Sequence, residues 1–346
     1  MRTPLTAGVA FIASFMALFL AGAAQAARVD NLYTALVPVE DRSAEVREEA
    51  IGAALAAVLV RVAGSRGAAR SPELEPLLDN AASYVQVFRY EAGSDGLYLS
   101  VTFDGAALGQ AVAGAGVAVW GRERPEVIIW LAIDYGGGQR VLLSSDSDGS
   151  VANAIVKAAE ARGLPIKFPL MDAQDRQNIS FADVWGGFNQ TVESASERYQ
   201  ADAILVGRAR RRAGRRLGVD WKLYYASAVM ASEGGITEGI ENAADFFARK
   251  FVVGGETSQT DQVQIEIVGI ASVADFARVL THLENLSVVD DVQISTVNGN
   301  SFVFDLHLLG SVDKLRGAIS LGDVLLESAP PPADVPGQVL RFRTRP

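Results

Sequence analysis

Residues 127–133 read Val-Ile-Ile-Trp-Leu-Ala-Ile, a continuous apolar run rich in β-branched side chains. Such a run predicts a strand that is buried on both faces at the centre of a sheet. Strand-like and helix-like segments alternate from here as far as residue 254. This alternation predicts an α/β domain over 126–254, in which helices cover a layered sheet.

The segment before this run predicts an α+β domain over 27–121. Apolar residues recur at helical spacing after Ser43, which is a suitable N-cap. Two strand-like runs then flank the turn composition Gly-Ser-Asp-Gly at 93–96. We interpret the charged residues 122–125 as the break between this domain and the middle one.

The segment after the middle domain predicts a third, smaller domain over 262–329. Ser272 and Asp275 form a capping-box pattern, and Asn298-Gly299 is a strong hairpin signal. The expected element order is β-α-β-β-α-β, the ferredoxin-like arrangement. We expect residues 330–346, which begin with three prolines, to form an extended tail.

The first 26 residues have the three parts of a secretory signal peptide. Arg2 supplies positive charge, residues 5–20 are apolar, and Ala24-Gln25-Ala26 fits the small-x-small cleavage rule. We therefore expect cleavage near Ala26 and a periplasmic protein. The alternative is anchoring by an uncleaved N-terminal helix, because residues 3–27 contain no charge.

The composition excludes several kinds of function. The chain has no cysteine, so disulfides, thiolate metal sites and cysteine nucleophiles are impossible. Its formal net charge of −10 argues against a general nucleic-acid binder, which needs a surplus of lysine and arginine. We expect no cofactor, and no integral membrane segment once the signal peptide is cleaved.

Few residues indicate catalysis. His282 and His307 lack both a Gly-x-Ser-x-Gly elbow and clustered metal ligands, so we interpret them as packing or surface residues. Residues 144–149 resemble a calcium loop without its closing glutamate, and a solvated turn is the preferred interpretation. Asp134 ends the apolar strand, where ligands often bind, but a turn before Gly136 explains it equally well. We predict no catalytic and no metal-binding residue.

An arginine cluster at 208–216 is the strongest candidate binding site. The planar guanidinium group binds carboxylates and phosphates in a bidentate manner. We expect the cluster to lie at the tip of a predicted hairpin, where it can bind an acidic protein, an anionic lipid or a cell-wall polymer. The alternative is a solvated turn whose charges discourage edge-to-edge association. The candidate residues are Arg208, Arg210, Arg211, Arg212, Arg215 and Arg216.

Three motifs carry a resemblance to known families. They are Arg-Pro-Glu-Val-Ile-Ile-Trp-Leu at 124–131, Tyr-Gln-Ala-Asp-Ala-Ile-Leu-Val-Gly at 199–207, and Val-Asp-Trp-Lys-Leu at 219–223. Over most of 28–255 the chain resembles a family of secreted proteobacterial proteins known as a domain of unknown function.

The middle domain is also similar to the amino-terminal module of the Tol-system periplasmic translocation protein. It is similar, too, to modules of curli-secretion and penicillin-binding-protein-activator lipoproteins. Those relatives bind other envelope proteins, so the resemblance implies a binding role by analogy of fold. The chain departs from them by having no cysteine to acylate and no propeller repeat.

These observations predict a non-enzymatic periplasmic binding or scaffold protein of the bacterial cell envelope that acts through protein–protein contacts. Two alternatives stay open. A carboxylate-based cell-wall hydrolase requires two acids that converge in a cleft, one of them with a raised pKa. A direct binder of anionic lipid or polymer through the arginine hairpin requires steep salt sensitivity.

Overall fold

The structure is a computed structural model that describes residues 31–147, 149–211, 217–255, 261–328 and 339–345. The predicted signal peptide at 1–26 lies outside the described residues. The described chain forms three sheets with helices packed on them. The predicted mixture of α/β and α+β architecture is therefore confirmed.

The amino-terminal unit packs helices on one face of a three-stranded antiparallel sheet of order β1-β3-β2. The hydroxyl of Ser43 accepts a hydrogen bond from the Val46 N–H at the start of the long first helix. Along that helix, Ala54, Leu55 and Val58 are fully buried against the sheet. Its elements are β1 (Thr34–Val39), α1 (Ala44–Val62), α2 (Glu75–Asp79), β2 (Val85–Gly93), β3 (Gly96–Phe103) and α3 (Gly105–Gly114).

The middle unit contains the six-stranded sheet, of order β5-β4-β7-β8-β9 with β6 also paired to β4. Strand β4 is parallel to β6 and β7, and the remaining pairs are antiparallel. The elements are β4 (Val127–Gly136), β5 (Gln139–Leu142), α4 (Ser150–Arg162), β6 (Ile166–Lys167), α5 (Ala173–Asn178), α6 (Phe181–Gly186), α7 (Asn189–Ser196), β7 (Ala203–Arg211), β8 (Leu217–Tyr225), β9 (Ala228–Gly234) and α8 (Glu238–Phe251).

Strand β4 is buried on both faces, as its apolar run predicts. All residues from Val127 to Ile133 have no exposed surface. Because side chains alternate along a strand, the odd-numbered ones pack with α4 and α8. The even-numbered ones pack with α6 and α7 on the other face. The sheet thus lies between two layers of helices. Because β4 and β7 are parallel, their carboxyl ends lie at the same end of the sheet.

The carboxy-terminal unit is a five-stranded sheet of order β11-β12-β10-β14-β13. Its first six elements follow the β-α-β-β-α-β order. They are β10 (Gln262–Val268), α9 (Val273–Asn285), β11 (Val289–Asn298), β12 (Ser301–Leu308), α10 (Val312–Ser320) and β13 (Leu325–Glu327), followed by β14 (Leu340–Thr344). Short 3₁₀ helices elsewhere in the chain span Ala68–Arg70, Pro72–Leu74, Ala81–Tyr84 and Glu197–Tyr199.

Strand β14 corrects the expectation that residues 330–346 form an extended tail. It lies inside the sheet, parallel to β10 and antiparallel to β13. Leu340 and Phe342 point into the core with 5% and 0% of their surface exposed. Arg341 lies on the other face and pairs with Glu266 of β10 at 2.9 Å. Burial of these alternate apolar side chains stabilises the segment as a strand of the sheet.

Among the residues that the structure describes, no helix combines the length and the apolar character needed to cross a membrane.

Candidate functional site

The structure describes half of the predicted arginine cluster. Arg208, Arg210 and Arg211 lie in the last part of β7, whereas Arg212, Arg215 and Arg216 lie outside the described residues. Strands β7 and β8 pair as far as Arg211 opposite Leu217. The two strands thus flank the segment 212–216, as the predicted hairpin requires.

Alternation along β7 divides the described arginines between the two faces of the sheet. Arg208 and Arg210 follow Val206 on the face that carries α6 and α7. Arg211 lies on the opposite face, where its guanidinium carbon is 5.8 Å from the ring centre of Tyr135. Of the three described arginines of the cluster, Arg208 and Arg210 share a surface and Arg211 does not.

The sheet register brings a further arginine, Arg140, to that surface. Asp134 near the end of β4 is the register partner of both Arg140 on β5 and Arg210 on β7. Neighbouring strands are about 4.8 Å apart, so the backbones of Arg140 and Arg210 are separated by about 10 Å. This proximity arises from strand pairing between segments that are about seventy residues apart in the sequence.

Arg140 is held by a carboxylate and an aromatic ring. Its Nε is 3.3 Å from Asp134 Oδ2, and its guanidinium carbon is 5.6 Å from the ring centre of Phe181. The other carboxylate oxygen of Asp134 accepts a hydrogen bond of 2.8 Å from the Gly136 N–H. Asp134 is thus engaged as a turn residue and as the partner of an arginine.

Arg210 has the same two kinds of partner. Its Nη2 is 2.9 Å from Asp220 Oδ2, and its guanidinium carbon is 6.0 Å from the ring centre of Trp185. Arg208 approaches the same aspartate oxygen at 3.9 Å. The rings of Trp185 and Phe181 stack with their centres 5.3 Å apart, so they connect the two arginines in one row.

Helix α6 positions these two rings. The hydroxyl of Ser180 accepts a hydrogen bond from the Asp183 N–H, and the Asp183 carboxylate accepts one from the Ser180 N–H. This capping box, the same Ser-x-x-Asp pattern as at residues 272–275, fixes the start of the helix. Val184 points into the core, which turns Phe181 and Trp185 towards the arginines.

We call Arg140, Arg208, Arg210 and Lys222 the cationic end of the middle sheet. Lys222 is the register partner of Val206 and therefore projects from the same face. Asp134, Asp220 and Glu233, the register partner of Asp220 on β9, supply three negative charges there against four positive ones. The side chains of Arg140 and Arg210 are 62% and 55% exposed. Such groups can bind carboxylate or phosphate oxygens from solution.

The other candidate residues do not join this site. Asp202, whose pKa is raised by burial, lies before β7, at the opposite end of the sheet from Asp134. Asp202 accepts a hydrogen bond of 2.7 Å from the Glu126 N–H. His282 and His307 belong to α9 and β12 of the carboxy-terminal unit. Within the described ranges, no group of three acidic or histidine side chains is placed to hold a metal ion.

Arg124 is an important residue that sequence reasoning misses. The sequence places it in a charged break, yet it is only 2% exposed. Its side chain donates hydrogen bonds of 2.7–3.0 Å to five backbone carbonyls. The acceptors are the carbonyl oxygens of Arg61, Trp120, Gly121, Arg162 and Gly163.

These carbonyls come from the carboxyl ends of α1 and α4 and from the connection between the first two units. Helix carboxyl ends carry partial negative charge and unpaired carbonyls, so a buried guanidinium satisfies both. Burial lowers the pKa of Arg124 to about 9, which leaves it charged at neutral pH. Arg124 thus joins three segments of backbone.

Two further buried arginines extend this contact. Arg61 donates to the carbonyls of Asn31 and Thr34 at 2.7 and 2.8 Å. Arg162 pairs with Glu241 and Asp245 of α8 at 2.8 and 2.7 Å. We call Arg61, Arg124 and Arg162 the arginine joint. All three have partners inside the protein, so the joint is a structural element.

Comparison with family models matches the first part of the chain. Residues 26–121 match the model of a family described as a domain of unknown function, DUF8605. The match supports a domain of unknown function over this range, and the three motifs at 124–131, 199–207 and 219–223 lie outside it. No curated protein matches the chain. The match ends before β4, so the cationic end lies outside it.

Proposed function

We propose that this chain is a non-enzymatic binding protein of the bacterial cell envelope, and that its cationic end contacts an acidic segment of a protein partner. The observation that carries the proposal is the row in which Arg140 and Arg210 are each held by one aspartate and one aromatic ring.

Pre-organisation makes this row suitable for recognition. A free arginine loses about 2 kcal/mol of side-chain entropy when it is fixed in one geometry. At the cationic end, the ring contacts and the aspartates fix part of that geometry before a partner arrives. Because both arginine side chains stay more than half exposed, their guanidinium groups can still donate hydrogen bonds to the carboxylates of a partner.

The position of the row also supports a binding role. Ligands of open α/β sheets commonly bind beyond the carboxyl ends of parallel strands. The residues Asp134 and Arg210 lie at these ends of β4 and β7. The resemblance of the middle unit to modules of the Tol-system protein and related envelope lipoproteins adds an analogy of fold and names no partner.

The proposed compartment is the periplasm, with cleavage of the signal peptide near Ala26. This part of the proposal rests on the sequence of residues 1–26 alone.

Photo-crosslinking in the native host tests the proposal. A photoreactive residue at Ala182, an exposed position on α6 next to Phe181, reports contacts near the cationic end. We expect a discrete protein adduct in the periplasmic fraction that is lost in the double variant Arg140→Gln, Arg210→Gln. The matched control Arg89→Gln, Arg278→Gln removes two exposed, ion-paired arginines elsewhere and keeps the adduct.

Three results would contradict parts of the proposal. Adducts only with lipid or cell-wall polymer would replace the protein partner with an anionic surface. An adduct that persists in the Arg140→Gln, Arg210→Gln variant would remove the cationic end from the interface. Recovery of the chain in the cytoplasmic fraction would overturn the proposed compartment.

A further inference from the structure

Exposed apolar side chains lie where helix α9 meets the edge strand β11 of the carboxy-terminal sheet. In the described part of the chain, β11 has β12 on one side and no strand on the other. Val273 on α9 is 85% exposed, and Ile294 and Val297 on β11 are 49% and 53% exposed. These are three of the nine large apolar side chains that are exposed among the described residues.

Strand register turns the two β11 residues towards the helical side of the sheet. Ile294 and Val297 pair with Phe304 and Phe302 on β12. The ring centre of Phe276 on α9 is 5.4 Å from that of Phe302 and 6.5 Å from that of Phe304. Helix α9 therefore lies over β12, and the β11 side chains beyond it keep about half of their surface uncovered.

The helix adds one row of side chains beside them. Val279 and Leu283 are fully buried, so they mark the face of α9 that packs on the sheet. At 100° per residue, Val273, Leu280 and Glu284 lie in a single row next to that face. We call Val273, Leu280, Ile294 and Val297 the outer groove.

His282 shows in which direction this row faces. It lies on the opposite flank of α9, and an added Cβ on Gly322, just after α10, would lie 2.7 Å from its ring. The chain continues from Gly322 into β13, which is the edge of the sheet opposite β11. The row of Val273 and Leu280 therefore faces away from α10, on the β11 side of the unit.

The outer groove ends in acidic side chains. Glu284 lies one turn beyond Leu280, and Asp290 lies at the start of β11, which follows the end of α9. Both residues are exposed. Strand β11 contains no lysine or arginine, and Arg278 of α9 lies on the other flank, where it pairs with Asp275. The groove is thus apolar along its length and negatively charged at one end.

We propose that the outer groove binds an amphipathic helix of a partner protein, with apolar residues at helical spacing followed by lysine or arginine. This inference goes beyond the proposed function and does not depend on the cationic end. Val273 and Glu284 are separated by about 16 Å along α9, the length of three helical turns. Over that length, apolar residues at i, i+4 and i+7 cover the groove, and a basic residue one turn further meets Glu284.

The structure disfavours three other occupants. Register shifts after Val289 and after Ile294 interrupt β11, which opposes the regular pairing of an added strand. A second copy placed groove to groove brings more acid and no basic residue. An anionic lipid surface is repelled by Glu284 and Asp290.

Synthetic peptides test the proposal. The first is a labelled peptide of about five helical turns, with leucines at i, i+4 and i+7 and lysines on the other positions. The second carries glutamate in place of every lysine, and the third carries a central proline that breaks the helix. Their binding to the full chain is measured by fluorescence anisotropy.

We expect the lysine peptide to bind at least about ten-fold more tightly than the other two, because they lose the charge complement or the helix. The double variant Ile294→Asn, Val297→Asn should weaken its binding at least about ten-fold, since two apolar contacts are lost. The matched control Leu36→Asn, Val229→Asn changes two apolar residues of the other units that are 54% and 60% exposed, and should leave binding unchanged.

A charge exchange separates recognition from a structural effect. In Glu284→Lys, Asp290→Lys, the glutamate peptide should bind more tightly than the lysine peptide. Equal binding of the lysine peptide to the groove variant and to its control would overturn the proposal, as would no binding to the wild-type chain. Equal affinity for the proline peptide would overturn the helix. A dimer of the chain that is lost in Ile294→Asn, Val297→Asn would replace the partner helix with a second copy.

Discussion

The arginine joint and the cationic end use the same side chain under opposite conditions. In the joint, Arg124 is 2% exposed and its hydrogen bonds end on backbone carbonyls. At the cationic end, Arg140 and Arg210 are more than half exposed and pair with single aspartates and aromatic rings. The first arrangement uses all the donors of Arg124 inside the protein, and the second leaves donors for a partner.

This difference shows that the surroundings of an arginine decide its role. A buried guanidinium must be fully hydrogen-bonded, because leaving it unsatisfied costs several kcal/mol. An exposed ion pair contributes only about 0–1 kcal/mol, so it can exchange partners at little cost. Substitutions in the joint should therefore reduce stability, and substitutions at the cationic end should reduce binding.

The largest effect is expected for Arg124→Met. This change leaves the carbonyls of Trp120, Gly121 and Gly163 buried without their donor. We expect the free energy of unfolding to fall by at least about 3 kcal/mol, measured by urea titration. Arg249→Met, at an exposed site on α8, serves as the control and should change it by less than about 0.5 kcal/mol. A loss for Arg124→Met as small as that of the control would contradict the assigned role of the joint.

Gly163→Ala should have the next largest effect. Gly163 follows α4 with φ of +60°, and an added Cβ would lie 2.8 Å from Arg124 Nη1. Gly187→Ala is a matched control, because Gly187 has φ of +74° but no atom near an added Cβ. Backbone strain should cost each variant about 1 kcal/mol, and we expect Gly163→Ala to lose more in the same urea titration. Equal losses would show that Arg124 can move aside freely.

A smaller, pH-dependent effect is expected from Asp245. Burial raises the pKa of this carboxyl, but hydrogen bonds from Arg162 and Arg66 outweigh burial, so its pKa lies below the ordinary value. A lowered pKa stabilises the fold above the unfolded-state value of about 3.9, and this contribution is lost as the pH falls through the folded-state value. Asp245→Asn should therefore lose stability at neutral pH and show a shallower decline below about pH 4.

The check is urea unfolding of the wild type, Asp245→Asn and Asp313→Asn across that pH range. Asp313 has a side chain that is 91% exposed, so its replacement should leave the profile unchanged. A profile for Asp245→Asn that runs parallel to that of the wild type would show that this carboxylate does not titrate with folding.

The smallest effect on stability is expected at the cationic end. The double variant Arg140→Gln, Arg210→Gln removes two exposed ion pairs, so the free energy of unfolding should change by less than about 1 kcal/mol. Urea titration alongside Arg124→Met measures the contrast directly. A loss comparable to that of Arg124→Met would mean that the cationic end is also a structural element.

The sequence predicts those parts of the fold whose signal is local. Seven successive apolar residues define β4, because each one is buried on one face or the other. Ser272 and Asp275 predict the start of α9 through a contact between close neighbours. In contrast, β14 has only five residues after a proline-rich segment, and its place beside β10 depends on distant partners.

The two groups of arginines also depend on partners that are distant in the sequence, so the sequence predicts them only in part. The density of arginines predicts Arg208 and Arg210 as candidates, but Arg140 joins them only through strand register. The burial of Arg124 depends on carbonyls at the ends of α1 and α4, which are far away in the sequence. No local pattern distinguishes Arg124 from its charged neighbours in residues 122–125.

The central claim is that the cationic end binds an acidic partner while the joint only maintains the structure. The most direct measurement is the affinity of the full chain for a fluorescently labelled synthetic peptide rich in aspartate, in the wild type and in the two double variants. We predict at least about ten-fold weaker binding for Arg140→Gln, Arg210→Gln, since two charge-assisted contacts are lost. Arg89→Gln, Arg278→Gln should match the wild type. Equal affinity in all three proteins, or equal losses in both variants, would contradict the claim.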